Sequence, residues 1–419
     1  MRTRQPEVAR FIGEARVVRS SDRRGFWTFV LATLAIYAGV VVLGALVGKT
    51  APSDQTHYAY LAQAFLQGRL DIDPAQAPHL TEVIPYNGKS YVCYPPMPAV
   101  VLMPFVALFG PTLPMSAVSI LIASYAVGLC YLVLRRAGFT APVGAWVTVV
   151  FGFGTAFWYT SLKGSSWHFA HVTGVVFLLG ALWETFGRSR PLLIGLCLGA
   201  ATLCRLPIVL ATPVFLYLVT RNRAAKGRRA ALLLAGVGLF IGLNMAYNWV
   251  RYQTIFDVGY HLIPGVLEER WYTKGIFDLS YLPRNLWLHL FGPPLLIDRF
   301  PYVVPSQSGL ALFLATPVLL LMFRASNGWL TWSAALGALL VSIPSLLHGS
   351  SGDMQFGFRF SIDYSPFLLL LVAQGLRGSV TPRVKALVAL NCLIGLWGLA
   401  FMSPIEPPWL FPFAGAPIR

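Results

Sequence analysis

Asp54 stands in Ser53-Asp54-Gln55-Thr56-His57-Tyr58, just beyond an uncharged apolar run that ends near Val47. A carboxylate at the edge of such a run can take the proton of an attacking hydroxyl as a general base, and it can equally cap a helix. Arg205, in Leu203-Cys204-Arg205-Leu206-Pro207, has apolar sequence on both sides. A guanidinium at a bilayer centre costs roughly 2.5–3.5 kcal/mol unless it faces protein, water or an anion. Arg359, in Phe356-Gly357-Phe358-Arg359-Phe360, precedes another apolar run and has Asp353 and Asp363 nearby. Two readings compete for it: an (i, i+4) ion pair with Asp363, or bidentate binding of a lipid-carrier phosphate. His168 and His171 share one helical face with no acid beside them in sequence, which points to hydrogen bonding and not to a metal site.

These residues need elements to position them, and the composition says which. The chain has 419 residues, 56% hydrophobic and only 11% charged, where soluble domains carry about 25% charged residues. It reads as an all-α polytopic membrane protein with about eleven spans. Apolar runs lie near 26–47, 114–134, 141–159, 168–186, 191–204, 206–220, 230–249, 309–323, 329–347, 362–376 and 385–401. Placing the N-terminus in the cytoplasm puts 20 of the 32 Lys and Arg, and 4 of the 16 acids, on the cytoplasmic side. The remaining 12 bases and 12 acids then balance on the outer side, as short-loop topology requires. The +16 net charge is thereby a topology signal and implies no nucleic acid. The runs 191–204 and 206–220 are each short for a bilayer, so they form either a hairpin or one bent element, and the basic loop 221–229 favours the hairpin. Four of the five cysteines fall in apolar stretches and Cys93 stands alone, so no disulfide framework follows.

The expected organisation is a cytoplasmic segment 1–25, a transmembrane module 26–249 containing a long first outer loop 48–113, a second outer loop 250–308, and a C-terminal transmembrane module 309–419. The first loop should hold an amphipathic helix on the outer surface, capped by Ser53 or Asp54 and ended by Gly68. A small hairpin turning at Asn87-Gly88 follows, then a juxtamembrane helix after Tyr94-Pro95-Pro96. The second loop mixes charges with aromatics, among them Tyr260, His261, Lys274 and Arg284, a mixture suited to sugar recognition and equally found in solvated loops.

In order, these features resemble the C-type integral-membrane glycosyltransferases (GT-C), the group that includes protein O-mannosyltransferases and aminoarabinose transferases. The matching parts are Asp54 after the first span, the outer helix ending in Gly68-Arg69, the hairpin with Tyr94-Pro95-Pro96, Gly195 and Gly199 ahead of Thr202-Leu203-Cys204-Arg205, and Phe356-Gly357-Phe358-Arg359-Phe360. The resemblance implies transfer of a sugar, with inversion, from a polyprenyl-phosphate donor to a lipid, glycan or protein hydroxyl at the outer face of a bacterial inner membrane. Asp54 would be the base, and Arg205 and Arg359 would hold the donor phosphate. Substrate contacts would come from His57, Tyr58, Tyr94, His168, His171, Tyr260, His261, Lys274, Arg284 and Asp363. Gln55 stands where many members carry a second acid, which favours chemistry without metal or cofactor, and Tyr94 stands where many carry Lys. The competing class is a lipid or solute transporter that performs no covalent chemistry.

Overall fold

The computed structural model describes residues 19–46, 53–306, 308–352 and 355–401. Its helices are α1 (Ser20–Leu46), α2 (His57–Leu66), α3 (Met97–Phe109), α4 (Met115–Arg136), α5 (Ala141–Phe153), α6 (Ala156–Lys163), α7 (Ser166–Thr185), α8 (Pro191–Thr202), α9 (Thr212–Thr220), α10 (Lys226–Tyr252), α11 (Leu282–Phe291), α12 (Leu312–Ala315), α13 (Trp329–Leu347), α14 (Ser365–Gly375) and α15 (Pro382–Phe401). Two small antiparallel pairs accompany them, β1 (Val83–Tyr86) with β2 (Lys89–Val92), and β3 (Leu295–Leu296) with β4 (Val303–Val304).

All eleven apolar runs fall on helical structure, but they differ in length. Six helices are long and apolar enough to cross a membrane: α1, α4, α7, α10, α13 and α15. The pair α5 and α6, bent by 50°, makes a seventh if it counts as one span. The runs 191–204, 206–220, 309–323 and 362–376 form shorter pieces, several of them partly 3₁₀. The chain is a multi-pass integral membrane protein. In such a setting Trp27, Leu31, Leu43 and Leu46 of α1 lie exposed without cost, because lipid replaces the core they lack.

Backbone at membrane depth can break only where its polar groups find partners. The bend between α5 and α6 shows how: the Gly154 carbonyl accepts from Thr316 Oγ1 (2.9 Å) and Asn391 Nδ2 (2.5 Å), while the Thr155 side chain caps α6 by accepting from Phe157 N. A second break separates α8 from α9 at Arg205. Arg229, at the start of α10, donates to Val219 O and Ser189 O (2.6 Å each), so the start of α8 and the end of α9 lie together. The two runs therefore form the hairpin expected from charge, with Arg205 near its tip. Gly195 lets α8 approach α10, since a Cβ there would sit 2.1 Å from the Leu233 carbonyl oxygen.

Charge sorts along the bundle in the same way. Arg135 pairs with Asp22 (2.7 Å), Arg136 donates to Trp183 O (3.0 Å), and Arg190 grips Glu184 with Nε and Nη2 (2.9 and 3.0 Å). These contacts gather one basic end of the bundle. The opposite end carries the two long loops, and they are not loosely solvated. Tyr58, Leu61, Ile84, Val92, Leu102, Phe169, Tyr252, Tyr272 and Ile276 share a buried apolar cluster of their own.

The first loop departs from expectation in two respects. Its helix starts at His57 with Thr56 at the cap position and no side-chain cap bond, so neither Ser53 nor Asp54 caps it. Nor does it lie on a surface: His57 through Ala62 are all buried. The hairpin is as expected, with Tyr86 opposite Lys89 and both turn residues, Asn87 and Gly88, at positive φ.

Candidate functional site

Asp363 is the hub of the site. Its carboxylate is buried at the end of the 3₁₀ turn Arg359–Asp363, just ahead of α14, and it receives His171 Nδ1 at 2.6 Å and Arg205 Nε at 3.0 Å. His171 comes from the second turn of α7, Arg205 from the tip of the α8–α9 hairpin. The reading that Asp363 pairs with Arg359 along its own turn is thus corrected: its bonds run to residues 192 and 158 positions away. The reason is geometric. Arg359–Asp363 is a 3₁₀ turn, which does not stack side chains four apart as an α-helix does. Asp353 lies outside the described residues.

Arg359 is held by its backbone and its neighbours. Its N–H donates to Gln355 Oε1 (3.0 Å), and the buried Gln355 donates to Ser308 O and Ser351 O. Phe358 is stacked on His289 at 3.9 Å, and Phe356 is buried against Trp397. The next side chain, Phe360, lies between the two guanidinium groups, 5.3 Å from Arg205 Cζ and 5.3 Å from Arg359 Cζ. One ring therefore braces both cations.

Two adjoining chambers open here. The first, about 240 Å³, has mostly apolar walls that include Tyr58, Tyr94, Val341, Pro344 and Phe277, with Arg205, Arg359 and Asp363 together in its lining. Tyr260, His261 and His348 face it as well. Burial pushes the His348 imidazole down to about 4, with help from Arg205, Arg359 and Arg284, so it is neutral near pH 7. Burial also raises Asp257 above the usual carboxylate range, opposed by Arg251. The lining thus brings the guanidiniums of Arg205 and Arg359 to one chamber with the carboxyl groups of Asp363 and Asp257, and guanidinium donors of this kind suit an anion.

The second chamber, about 380 Å³, is more polar and is lined by Ser53, Glu82, Lys163, His168, Glu269 and Trp271 among others. Trp167, Tyr260, Ser350 and Arg359 belong to both chambers. Glu82 sits at φ 54°, a conformation uncommon outside glycine, and its Oε2 accepts from Trp167 Nε1 at 2.9 Å and from the Tyr94 hydroxyl. Burial, with Glu82 adding repulsion, raises the Glu269 carboxyl above its ordinary range. His168 Nδ1 bonds Ser165 Oγ at 2.6 Å. Carboxylates, aromatic faces and hydroxyls around one chamber are what a sugar needs for hydrogen bonding and stacking.

Asp54 is exposed at the edge of this assembly. Its neighbour Ser53 lines the second chamber, but Asp54 itself is in the lining of neither. The strap that carries it is well tied: Gln55 Oε1 accepts from Thr81 N and Oγ1, Gln55 Nε2 donates to His79 O and to Asp54 Oδ1 (3.2 Å), and Gln55 O accepts from Ser166 N.

Of the other sequence candidates, Tyr58, Tyr94, Tyr260, His261 and Asp363 line the first chamber and His168 the second. His57 and His171 stand one layer back, His57 bonding Thr81 O (2.5 Å) and packing edge-on to Tyr94. Burial lowers His57 below the ordinary imidazole range. Lys274 is exposed and lines neither chamber; its backbone N–H donates to Tyr281. Arg284 stands outside them too, donating to the Gly349 carbonyl beside His348. Glu82, Lys163, Trp167 and His348 are the residues that reading the sequence missed. Among the described residues, no cluster of three or more His, Cys, Asp or Glu forms that could hold a metal ion.

No family model matches the sequence, and no curated protein matches it. The fold does have a solved likeness, ArnT from Cupriavidus metallidurans bound to undecaprenyl phosphate, with a TM-score of 0.51 at 16% identity over 88% of this chain. The chain spans 62% of the length of that protein. At this identity the likeness is one of fold alone: the chain shares the ArnT fold, and that agrees with the resemblance the sequence motifs carry.

Proposed function

We propose that the protein is a GT-C glycosyltransferase that moves a sugar from a polyprenyl-phosphate donor to a hydroxyl acceptor, with inversion and without a metal, at the outer face of a bacterial inner membrane. The observation that carries this reading is the pair of chambers joined at Arg359: an apolar one with two arginines beside a polar one with carboxylates and aromatics. A prenyl chain suits the first, its phosphate the arginines, and its sugar the second. The fold shared with a protein solved bound to undecaprenyl phosphate supports the same division. The gathering of Arg135, Arg136, Arg190 and Arg229 at the opposite end supports a cytoplasmic basic face, and so an outward site.

In the reaction, the acceptor oxygen attacks the anomeric carbon from the side away from phosphate. The C1–O bond to phosphate breaks, the hydroxyl proton passes to a carboxylate, and the negative charge left on polyprenyl phosphate is met by Arg205 and Arg359. Asp54 is the base we favour. One Glu82 oxygen is already taken by two donors, which suits it to orient the sugar, whereas Asp54 is exposed and accepts a long bond from Gln55. A positioned base contributes about 10²–10⁴-fold. The Gln55 amide, committed to the strap, serves structure in place of a second carboxylate.

The test uses membranes containing the protein and radiolabelled polyprenyl-phosphate sugar. Asp54→Asn should abolish label transfer while polyprenyl phosphate still binds, and Arg359→Ala should weaken that binding about tenfold or more. Wild-type turnover by the Asp54 variant removes the base assignment. Sugar-lipid movement across liposomes with no covalent product would replace the enzyme by a transporter.

A further inference from the structure

A third cavity, of about 500 Å³, lies at the far end of α14, where the chain leaves Gly375 and turns into α15. The helix α14 begins beside Asp363, so a full helix length separates this cavity from the site described above. Its lining combines Arg324, Arg383 and the hydroxyl residues Ser379 and Thr381 with the apolar Leu321, Leu376 and Leu387. Arg377, at φ 48°, folds back so that its Nε and Nη2 both reach the Arg324 carbonyl at 3.4 Å, which draws a third guanidinium to the same corner. The N-terminus of α15, whose Val384 N–H meets Thr381 Oγ1 at 3.4 Å, adds the positive end of its dipole.

We propose that this cavity binds an anionic glycerophospholipid of the bilayer, its phosphate between Arg324 and Arg383 and an acyl chain over the leucines. Charge complementarity fixes the headgroup: two exposed guanidiniums and two hydroxyls face the cavity, and no acid is in its lining. The apolar residues of the lining favour lipid as the source, because a free phosphate makes no use of them. Each arginine near the membrane surface contributes about a factor of five toward an anionic headgroup. The site is independent of the chemistry at the two chambers.

The experiment takes the purified full chain in phosphatidylcholine nanodiscs, titrates in phosphatidylglycerol, and counts retained lipid by native mass spectrometry. Wild type should retain phosphatidylglycerol over phosphatidylcholine. The double variant Arg324→Gln, Arg383→Gln should bind it roughly thirtyfold more weakly, with an unchanged unfolding temperature in phosphatidylcholine alone. Arg383→Lys should keep most of the affinity. Equal retention of the two lipids by wild type, or undiminished phosphatidylglycerol retention by the double variant, overturns the proposal. Displacement of the lipid by millimolar inorganic phosphate overturns the choice of a lipid over a free phosphate.

Discussion

Replacing Asp363 by Asn is the sharpest probe of the site, because the two residues have nearly the same shape and differ by one charge. In the wild type that charge holds Arg205 at 3.0 Å and His171 at 2.6 Å, with the carboxylate side chain 2% exposed. Breaking a fully buried pair costs about 3–5 kcal/mol. Arg205 is 24% exposed toward the chamber, so water offsets part of the loss, and about 1–3 kcal/mol of stability is the expected cost. The effect on phosphate binding has two opposed parts. Losing the carboxylate raises the net positive charge of the chamber, which favours an anion, while losing the anchor lets the guanidinium swing. A double-mutant cycle with Arg205→Gln separates them. Stability is read by denaturant unfolding in detergent, and polyprenyl-phosphate affinity by titration on all four proteins. If Asp363 acts by holding Arg205, the coupling in stability should be about 1–3 kcal/mol. Arg205→Gln should also weaken polyprenyl-phosphate binding more in the wild-type background than in the Asp363→Asn background. Additivity within about 0.5 kcal/mol, with unchanged affinity in every variant, would refute the hub.

Glu82→Gln keeps the size of the side chain but weakens the bonds from Tyr94 and Trp167. It should therefore raise KM for the sugar-bearing donor several-fold while leaving affinity for bare polyprenyl phosphate unchanged; equal loss for both would place Glu82 in the phosphate site instead. His289 and His348 are both pushed down to about 4 by burial, so the unfolded chain binds more protons than the folded one between about pH 4 and 6.5. Stability from this source is fully present above about pH 6.5 and is lost as pH falls toward 4. Thermal unfolding followed across that window should show the slope, and the double variant His289→Gln, His348→Gln should flatten it.

How much of this was legible beforehand depends on the range of the physics. The β1–β2 hairpin was, because Asn87-Gly88 dictates its own backbone. So was the α8–α9 hairpin, because a guanidinium between two apolar runs forces a break that meets polar partners, and the basic loop after it fixes the return. Arg205 and Arg359 stood out as cations flanked by apolar sequence, and both line the first chamber. The partner of Asp363 was not legible, since an acid four residues from an arginine suggests a local pair only if the turn is α-helical. The cap of α2 failed for a related reason: burial of the helix, and not a side-chain bond at its start, decides where it begins. Glu82 carried one weak signal, an acid one residue before a strand. Lys274 and Arg284 drew notice as charged residues in an aromatic loop, and nothing local distinguishes those that face a cavity from those that face water.

The position of Arg359 between the two chambers has a consequence for catalysis. A prenyl phosphate held only by the first chamber would bind well whether or not it carried a sugar, and tight binding of the product would slow turnover. On the proposed reaction, a cation on the boundary would be most useful as the anomeric bond stretches and negative charge builds on the bridging oxygen. Arg205, anchored to Asp363, is already partly neutralised, so on that proposal it would hold the phosphate without clamping it. On the proposed reaction both arginines would meet the phosphate, Arg205 from its anchor on Asp363 and Arg359 from the lining common to the two chambers. Removing the Asp363 charge should release Arg205 from its anchor, which is why its replacement by Asn tests how much of the phosphate binding depends on that anchor.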